Sequence, residues 1–226
     1  MSEGWAAWWA AQNLPAIEWL ACALSFAYVY LAAKNSVWCW PLAFLGSCLW
    51  AWEVWTAYDL VFDTALNVFY AAMAVVGLLR WARADEAGTS GALPISRMRR
   101  TDHLALIAQG SLITFALFAG AMSYFPTAAM PALDAATTVF SVLATFLLIG
   151  RRLENWLYFL VVDLVYVYIY LERGSVIFAA TFVIYAVMAV YGYRAWRKEL
   201  GALLARSSRI RQNEPNRRRD VLNGSK

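Results

Sequence analysis

Seven long apolar stretches separated by polar gaps form the dominant pattern along this chain. An α-helix needs about 20 apolar residues to cross the roughly 30 Å hydrocarbon core of a bilayer, and each stretch is close to that length. A transmembrane β-barrel would instead show alternating segments of about ten residues. The pattern therefore predicts seven membrane-spanning helices. The predicted spans are residues 16–33, 36–56, 60–80, 103–124, 131–149, 153–171 and 175–195.

Part of the chain occurs twice. The segment NVFYAAMAVVGLLRW, residues 67–81, returns 115 positions later as FVIYAVMAVYGYRAW, residues 182–196. The coinciding pairs include Tyr70/Tyr185, Met73/Met188, Gly77/Gly192 and Trp81/Trp196 and, at an offset of 116, Ser25/Ser141 and Trp40/Trp156. Internal symmetry of this kind is a common feature of membrane transporters.

The repeat also predicts how the spans are arranged. The first three spans correspond to the last three, and corresponding spans are four apart, so both units cross the membrane in the same direction. The fourth span then serves as a linker helix. This gives an all-α membrane protein of two parallel three-helix repeats in a 3+1+3 order, similar to SWEET sugar transporters, with a binding site expected near the midplane between the repeats. The predicted segments are an extracytoplasmic N-terminus (1–15), a first repeat (16–81), a cytoplasmic loop (82–102), a linker helix (103–124), a second repeat (131–196) and a basic cytoplasmic tail (197–226).

Composition and charge agree with a membrane location. Hydrophobic residues make up 62% of the chain and charged residues 15%, which leaves too little polar surface for a soluble protein of this size. Of the 19 Lys and Arg residues, all but Arg173 fall on one side of the alternating spans. Because Lys and Arg stay preferentially in cytoplasmic loops, the N-terminus is predicted to lie outside and the C-terminus in the cytoplasm.

The basic tail contains the stretch RSSRIRQNEPNRRRD, which has no aromatic residues among its charges. Arg clusters beside a membrane span fix the orientation of the span and attract anionic lipid headgroups. Membrane lipid rather than nucleic acid is therefore the expected partner. The composition of the tail also predicts disorder. The sequence has no cluster of metal ligands, since its single His103 falls at a helix start, where an interfacial position explains it. No metal or cofactor is therefore expected.

Asp163 is the outstanding polar residue, because it falls near the middle of the sixth span. An ionisable side chain at the bilayer centre costs roughly 2.5 to 3.5 kcal/mol on insertion scales. Spacings of three and four place Asp163 on one helical face with aromatic residues. These residues are Trp156, Phe159, Tyr166 and Tyr170. A carboxylate on an aromatic face suits a flat organic cation, which each ring attracts by about 0.5 to 2 kcal/mol.

Other residues at comparable depth could complete such a binding site. Asn67 and Tyr70 fall in the third span, Gln109 in the fourth and Tyr185 in the seventh. Helix packing explains Asn67, Tyr70 and Tyr185 about equally well, and Gln109 is a weaker candidate. Trp and Tyr also populate membrane–water interfaces, and Asp163 could be a hydrogen-bonding partner between helices, so these alternatives stay open.

Other classes of function fit the residues less well. A retinal protein needs a Lys in the seventh span for the Schiff base, and residues 175–195 contain none. An intramembrane enzyme needs a nucleophile with a base, or two acids at depth, and Asp163 has no obvious acidic partner in the sequence. A proton-coupled transporter that uses Asp163 remains an alternative.

Three segments resemble the PnuC family of bacterial vitamin transporters: SVWCWPLAFLGSCLW, LNVFYAAMAVVGLLRW and LENWLYFLVVDLVYVYIYLERGSVIFAATFVIYAVMAVYGYRAW. The resemblance covers nearly all of residues 15–198. It implies a seven-span, SWEET-like protein of the bacterial inner membrane, usually a homotrimer, that carries nicotinamide riboside by facilitated diffusion. In that family phosphorylation in the cytoplasm traps the substrate. The chain has no G-x-x-x-x-G-K-[ST] loop, in agreement with transport that uses no ATP.

The sixth-span motif of the family, Trp-x-x-Trp-x-x-x-Asn or Asp, is similar to the pattern of Trp156, Phe159 and Asp163. The chain departs from the motif at Phe159, which stands in place of the second Trp. The resemblance thus implies a substrate site at these residues. Related members carry thiamine or deoxynucleosides, and thiamine is the main alternative substrate, because its thiazolium ring is also a flat cation.

Overall fold

The computed structural model describes residues 16–56, 61–86, 94–124, 130–172, 174 and 176–223. Within these ranges the regular structure is helical, apart from one isolated bridge between Ser96 and Arg152. The helices are α1 (Ala16–Ala33), α2 (Cys39–Thr56), α3 (Val61–Glu86), α4 (Arg100–Tyr124), α5 (Pro131–Ile149), α6 (Asn155–Glu172) and α7 (Val176–Asn223). The predicted N-terminal segment 1–15 lies outside the described residues.

Within the described residues, five helices have the length and apolar character of membrane spans, and the apolar stretches of the other two are shorter. Large apolar side chains cover their surface, as shown by Leu112, which is 70% exposed. An apolar surface of this extent fits lipid rather than water, and the predicted all-α membrane class is confirmed. The stretches long and apolar enough to cross a bilayer are Thr64–Ala84, Arg100–Ser123, Pro131–Ile149, Asn155–Glu172 and Phe178–Ser208, and the shorter apolar stretches are Trp19–Ala33 and Cys39–Trp52.

Two predicted segments are corrected by the observed helix ends. α3 continues to Glu86 and α4 begins at Arg100, which shortens the predicted cytoplasmic loop at both ends. α7 continues to Asn223, so the disorder expected for the basic tail is wrong within the described residues. Extending a helix that is already nucleated costs far less than starting one. The sequence after Trp196, RKELGALLAR, is also rich in strong helix formers.

The chain divides into two compact units, residues Met1–Ala92 and Leu93–Lys226, called the first and the second unit below. In the first unit, α2 packs against both α1 and α3. In the second unit, α4 packs on α5, α5 on α6 and α6 on α7, with the most extensive contact between α6 and α7. The first unit thus holds the first predicted repeat, and the second unit holds α4 followed by the second repeat.

The turn between the first two helices of each repeat has the same hydrogen bonds in both units. In the first unit, Asn35 adopts a left-handed φ of 54°, and the Ser36 N–H donates to the Leu31 carbonyl at 3.0 Å. In the second unit, Arg151 has a φ of 48°, and the Arg152 N–H donates to the Leu147 carbonyl at 2.9 Å. This six-to-one bond across a left-handed residue is the Schellman motif that ends many helices. The internal repeat seen in the sequence is therefore a repeat of structure.

A cluster of two tryptophans and a glycine forms the tightest core of each unit. In the first unit, the rings of Trp40 and Trp81 meet edge to face at 5.3 Å, and a Cβ added to Gly77 would lie 2.5 Å from the Trp40 ring. In the second unit, Trp156 and Trp196 meet at 5.6 Å, and a Cβ on Gly192 would lie 2.6 Å from Trp156. Only glycine permits so close an approach between helix backbone and ring. The second and third helices of each repeat thus pack closely at the end where the left-handed turn lies.

Candidate functional site

Asp163 is a buried acid at the middle of α6. Its side chain is 7% exposed, and within the described part of the chain no hydrogen bond or ion pair to its carboxyl group is found. A buried polar group without a partner is costly, and an ionisable group inside a membrane helix bundle ordinarily marks a binding or transport pathway. The position predicted from the sequence is therefore buried inside the helix packing and does not face lipid.

Aromatic rings from α6 and α7 lie beside one another on the C-terminal side of Asp163. Tyr166 stacks on Phe182 with ring centres 4.5 Å apart and an angle of 25° between the planes. Phe182 in turn meets Tyr185 edge to face at 5.8 Å. The structure thus brings together two of the predicted site residues, Tyr166 and Tyr185, through a ring that the sequence analysis missed. A spacing of i, i+3 on α7 puts Phe182 and Tyr185 on one face, and that spacing was the available signal.

The side chain of Trp156 is packed in the core of its own unit. It is 3% exposed, Gly192 covers one part of its ring, and Trp196 meets it edge to face. Its indole N–H has no hydrogen-bond partner in the described residues, and the same holds for Trp40 in the first unit. Because Trp40 repeats these contacts, packing accounts for the position of Trp156. Phe159, one turn further along α6, is half-buried.

The remaining predicted site residues lie apart from this cluster of rings or in the other unit. Asn67 and Tyr70 are half-buried, one turn apart on α3 of the first unit, and Tyr70 meets Phe69 at 5.8 Å. Gln109 lies in the second unit on α4, where its side chain is exposed. α4 packs on α5, and no extensive packing between α4 and α6, the helix of Asp163, is found within the described residues.

A short segment before α4 is hydrogen-bonded to the turn between α5 and α6. The Met98 N–H donates to Glu154 Oε2 at 3.0 Å, and Arg97 Nε lies 3.7 Å from Glu154 Oε1. Ser96 bonds on both sides, because its N–H donates to the Arg151 carbonyl and its carbonyl accepts from the Leu153 N–H. We call residues 94–99 the strap. The strap was not predicted, since its sequence has neither helical nor strand periodicity.

His103 is tied to α6 just beyond the strap. Its Nδ1 lies 3.0 Å from the Tyr158 hydroxyl, and the two rings stack with an angle of 13° between their planes. Tyr158 also stacks on Phe140 of α5. The His103 side chain thus joins α4 to α6, in addition to the interfacial position expected from the sequence. No group of three or more potential metal ligands occurs among the residues that the structure describes.

Comparison with known proteins agrees with this fold. Residues 15–198 match the sequence profile of the family described as nicotinamide mononucleotide transporter. The chain is 24% identical over 168 residues to the riboflavin/roseoflavin transporter RibM of Streptomyces davaonensis, which covers 74% of this chain and 77% of RibM.

A solved structure has the same fold. The crystal structure of the vitamin B3 transporter PnuC matches with a TM-score of 0.68 and 20% sequence identity, over 87% of each chain. The matched family is one of transporters, so this chain is a transporter and not an enzyme. With a profile match that extends over most of its length, the chain belongs to the nicotinamide mononucleotide transporter family, also called the PnuC family.

Proposed function

We propose that the protein takes up nicotinamide riboside across the bacterial inner membrane by facilitated diffusion, and that phosphorylation in the cytoplasm retains the substrate. The observation that carries the proposal is Asp163, an acid buried at the middle of a membrane helix without a partner in the described residues. The substrate has a positive charge on a flat pyridinium ring. A carboxylate in a bundle interior can balance that charge where water cannot.

The aromatic residues near Asp163 supply the second half of the recognition. In this proposal Phe159 and Tyr166 contact the pyridinium ring, whose charge favours the faces of aromatic rings. Trp156 supports them from the core, where its ring is held by Gly192. Tyr185 reaches the same group of rings through Phe182.

The other predicted features belong to the same proposal. Asn67, Tyr70 and Gln109 are secondary candidates for substrate contact. The N-terminus lies outside and the C-terminus in the cytoplasm, because the basic residues fall on one side of the spans. The assembly is a homotrimer in a lipid bilayer, as the family resemblance implies.

Two other vitamins are alternative substrates. Thiamine has a flat cationic ring that Asp163 can also balance. Riboflavin is suggested by the name of RibM, the relative that is 24% identical, but riboflavin is uncharged at neutral pH and does not need a carboxylate. The charge of the ligand therefore separates riboflavin from the other two.

Calorimetric titration of the purified protein in detergent or lipid nanodiscs tests the proposal. Nicotinamide riboside, thiamine and riboflavin are titrated separately into the full chain. Tight binding of nicotinamide riboside supports the proposed substrate. Binding of thiamine or riboflavin alone reassigns the substrate within the same family, and binding of none of the three contradicts the proposed function.

Uptake into proteoliposomes tests the facilitated diffusion. We expect the initial rate to follow the substrate gradient and to stay the same when a proton gradient of either direction is imposed. A rate that rises with an inward proton gradient would contradict facilitated diffusion and favour proton coupling through Asp163.

A further inference from the structure

Four rings of α6 and α7 form a continuous stack, which we call the ring ladder. In order they are Phe178, Tyr170, Phe182 and Tyr166. Phe178 and Tyr170 are 5.2 Å apart, Tyr170 and Phe182 are 5.5 Å apart, and Phe182 and Tyr166 are 4.5 Å apart. The planes of these neighbouring pairs differ by 23°, 14° and 25°, so the rings are close to parallel. Faces of both helices therefore form one aromatic surface.

The ring ladder connects one end of the helix pair to Asp163. Phe178 is the third residue of α7, beside the turn at Gly174, and it is 40% exposed. Tyr166 lies one helical turn from Asp163. Tyr170 lies seven positions after Asp163, which is about 10 Å along a helix. The ladder thus covers the half of α6 between its C-terminal end and the buried acid.

The sequence of the first repeat does not provide such a ladder, although that repeat shares the left-handed turn and the tryptophan–glycine core of the second. Trp40, Gly77 and Trp81 form the same core as their counterparts, and Asn35 forms the same turn. The residues equivalent to the four rings are Asp63, Val54, Asn67 and Trp50, of which only Trp50 is aromatic. Since the repeat folds without the ladder, packing alone does not require four stacked rings. The ladder is present in only one of the two repeats and is therefore a candidate for a functional role.

A flat ligand can insert between stacked rings at little net cost in free energy. An aromatic pair contributes roughly two- to tenfold to an equilibrium constant beyond the area that it buries. When a flat heterocycle displaces one ring of a stacked pair, the remaining ring stacks on the heterocycle instead. Tyr166, Tyr170 and Phe182 are half-buried, so part of each ring is accessible.

We propose that the ring ladder is a stacking surface for the flat aromatic heterocycle of the substrate, extending from the turn at Gly174 to Asp163. It adds Phe178, Tyr170 and Phe182 to the substrate-contacting residues. In the orientation proposed above, this half of α6 faces the outside, and the ladder receives the ring as it enters. The inference rests on the proposed function, because it requires a substrate with a flat ring.

Substitution of Phe182, which stacks on two neighbours, tests the ladder. Phe182→Leu keeps an apolar side chain of similar volume and removes the ring, whereas Phe182→Tyr keeps the ring. Phe115→Leu is the matched control, because Phe115 lies on α4 and is 66% exposed outside the ladder. Nicotinamide riboside, thiamine and riboflavin are titrated into each variant in nanodiscs.

We expect Phe182→Leu to weaken the binding of each ligand that binds the wild type by about tenfold. Phe182→Tyr should stay within about threefold of the wild type, and so should Phe115→Leu. Unchanged affinity of Phe182→Leu, or an equal loss in Phe182→Tyr, overturns the ladder. A wild type that binds none of the three ligands contradicts the proposed function instead, so the two failures are distinguishable.

Phe178→Leu keeps the proposal falsifiable if Phe182→Leu does not fold. Phe178 lies at the exposed end of the ladder, where loss of a ring disturbs the core least. We expect Phe178→Leu to lower the initial rate of uptake into proteoliposomes severalfold, at an unchanged thermal unfolding midpoint. An uptake rate equal to that of the wild type overturns the ladder as an entry surface.

Discussion

At the scale of single residues, the glycines that face tryptophan rings determine how closely the helices of a repeat approach. Gly192 lies against Trp156 in the second unit, and Gly77 lies against Trp40 in the first. At two other glycines, Gly120 and Gly201, no atom of the described residues outside the local helix backbone lies within 4 Å of the place that a Cβ would take. Glycine is therefore required at the first pair of positions and not at the second.

Alanine at Gly192 should accordingly destabilise the protein. The added methyl group would overlap the Trp156 ring, and overpacking of this kind costs about 1 to 3 kcal/mol. Gly120→Ala is the matched control, where a helical alanine should stabilise by about 0.5 to 1 kcal/mol. The thermal unfolding midpoint in detergent measures both. A midpoint for Gly192→Ala that equals or exceeds that of Gly120→Ala would contradict the close packing.

The sequence predicted where the buried acid of α6 lies, but not how its aromatic neighbours are packed. Asp163 could be recognised because an acid in an apolar span is rare, whatever surrounds it. The spacing that put Trp156 on the same face could not reveal that Gly192 covers its ring, since that contact joins two helices. Phe182 was missed because its stacking partner Tyr166 lies on another helix, and the sequence does not reveal contacts between helices.

At the scale of helices and connections, the strap explains how the start of α6 is held. A backbone N–H bond to a carboxylate is worth about 1.5 to 3 kcal/mol, so the bond from the Met98 N–H to Glu154 is the main contribution. Arg97 is 64% exposed, and an ion pair at such a position contributes about 1 kcal/mol or less. Glu154 should therefore matter more than Arg97.

Removal of the Glu154 carboxylate should release the strap. We expect limited trypsin digestion to cut Glu154→Gln after Arg99 several times faster than the wild type, and Arg97→Gln to change that rate by less. Glu172→Gln, at the other end of α6, is the control for loss of an acid. Equal rates for Glu154→Gln and Glu172→Gln would show that the strap is held by other contacts.

The positions of the helices were predictable from hydrophobicity alone. Most of their ends were not, because other signals determine where a helix stops. α5 has its predicted bounds of 131 and 149, because Pro131 and Gly150 mark its ends. α7 runs past its predicted end at residue 195, because a helix does not stop where the membrane stops unless the chain contains a terminating signal. The strap was missed because its contacts join distant parts of the chain.

At the scale of the whole molecule, the position of the basic residues predicts the orientation. If the seven spans alternate, all but one of the 19 Lys and Arg residues are expected on the side of the C-terminus. A C-terminal epitope tag should therefore be digested by protease added to inverted inner-membrane vesicles and protected in intact spheroplasts. Digestion in spheroplasts would contradict the orientation and would also reverse the direction in which the ring ladder is entered.

In the proposed function, the buried acid of α6 balances the charge of a flat cationic substrate. Calorimetric titration of nicotinamide riboside into the wild type and Asp163→Asn tests this charge pairing, since the amide keeps the size of the side chain and removes its charge. A bond to a charged group is worth about 1.5 to 3 kcal/mol, so we expect at least about tenfold weaker binding to Asp163→Asn. Equal affinity of the two proteins would rule out the charge pairing.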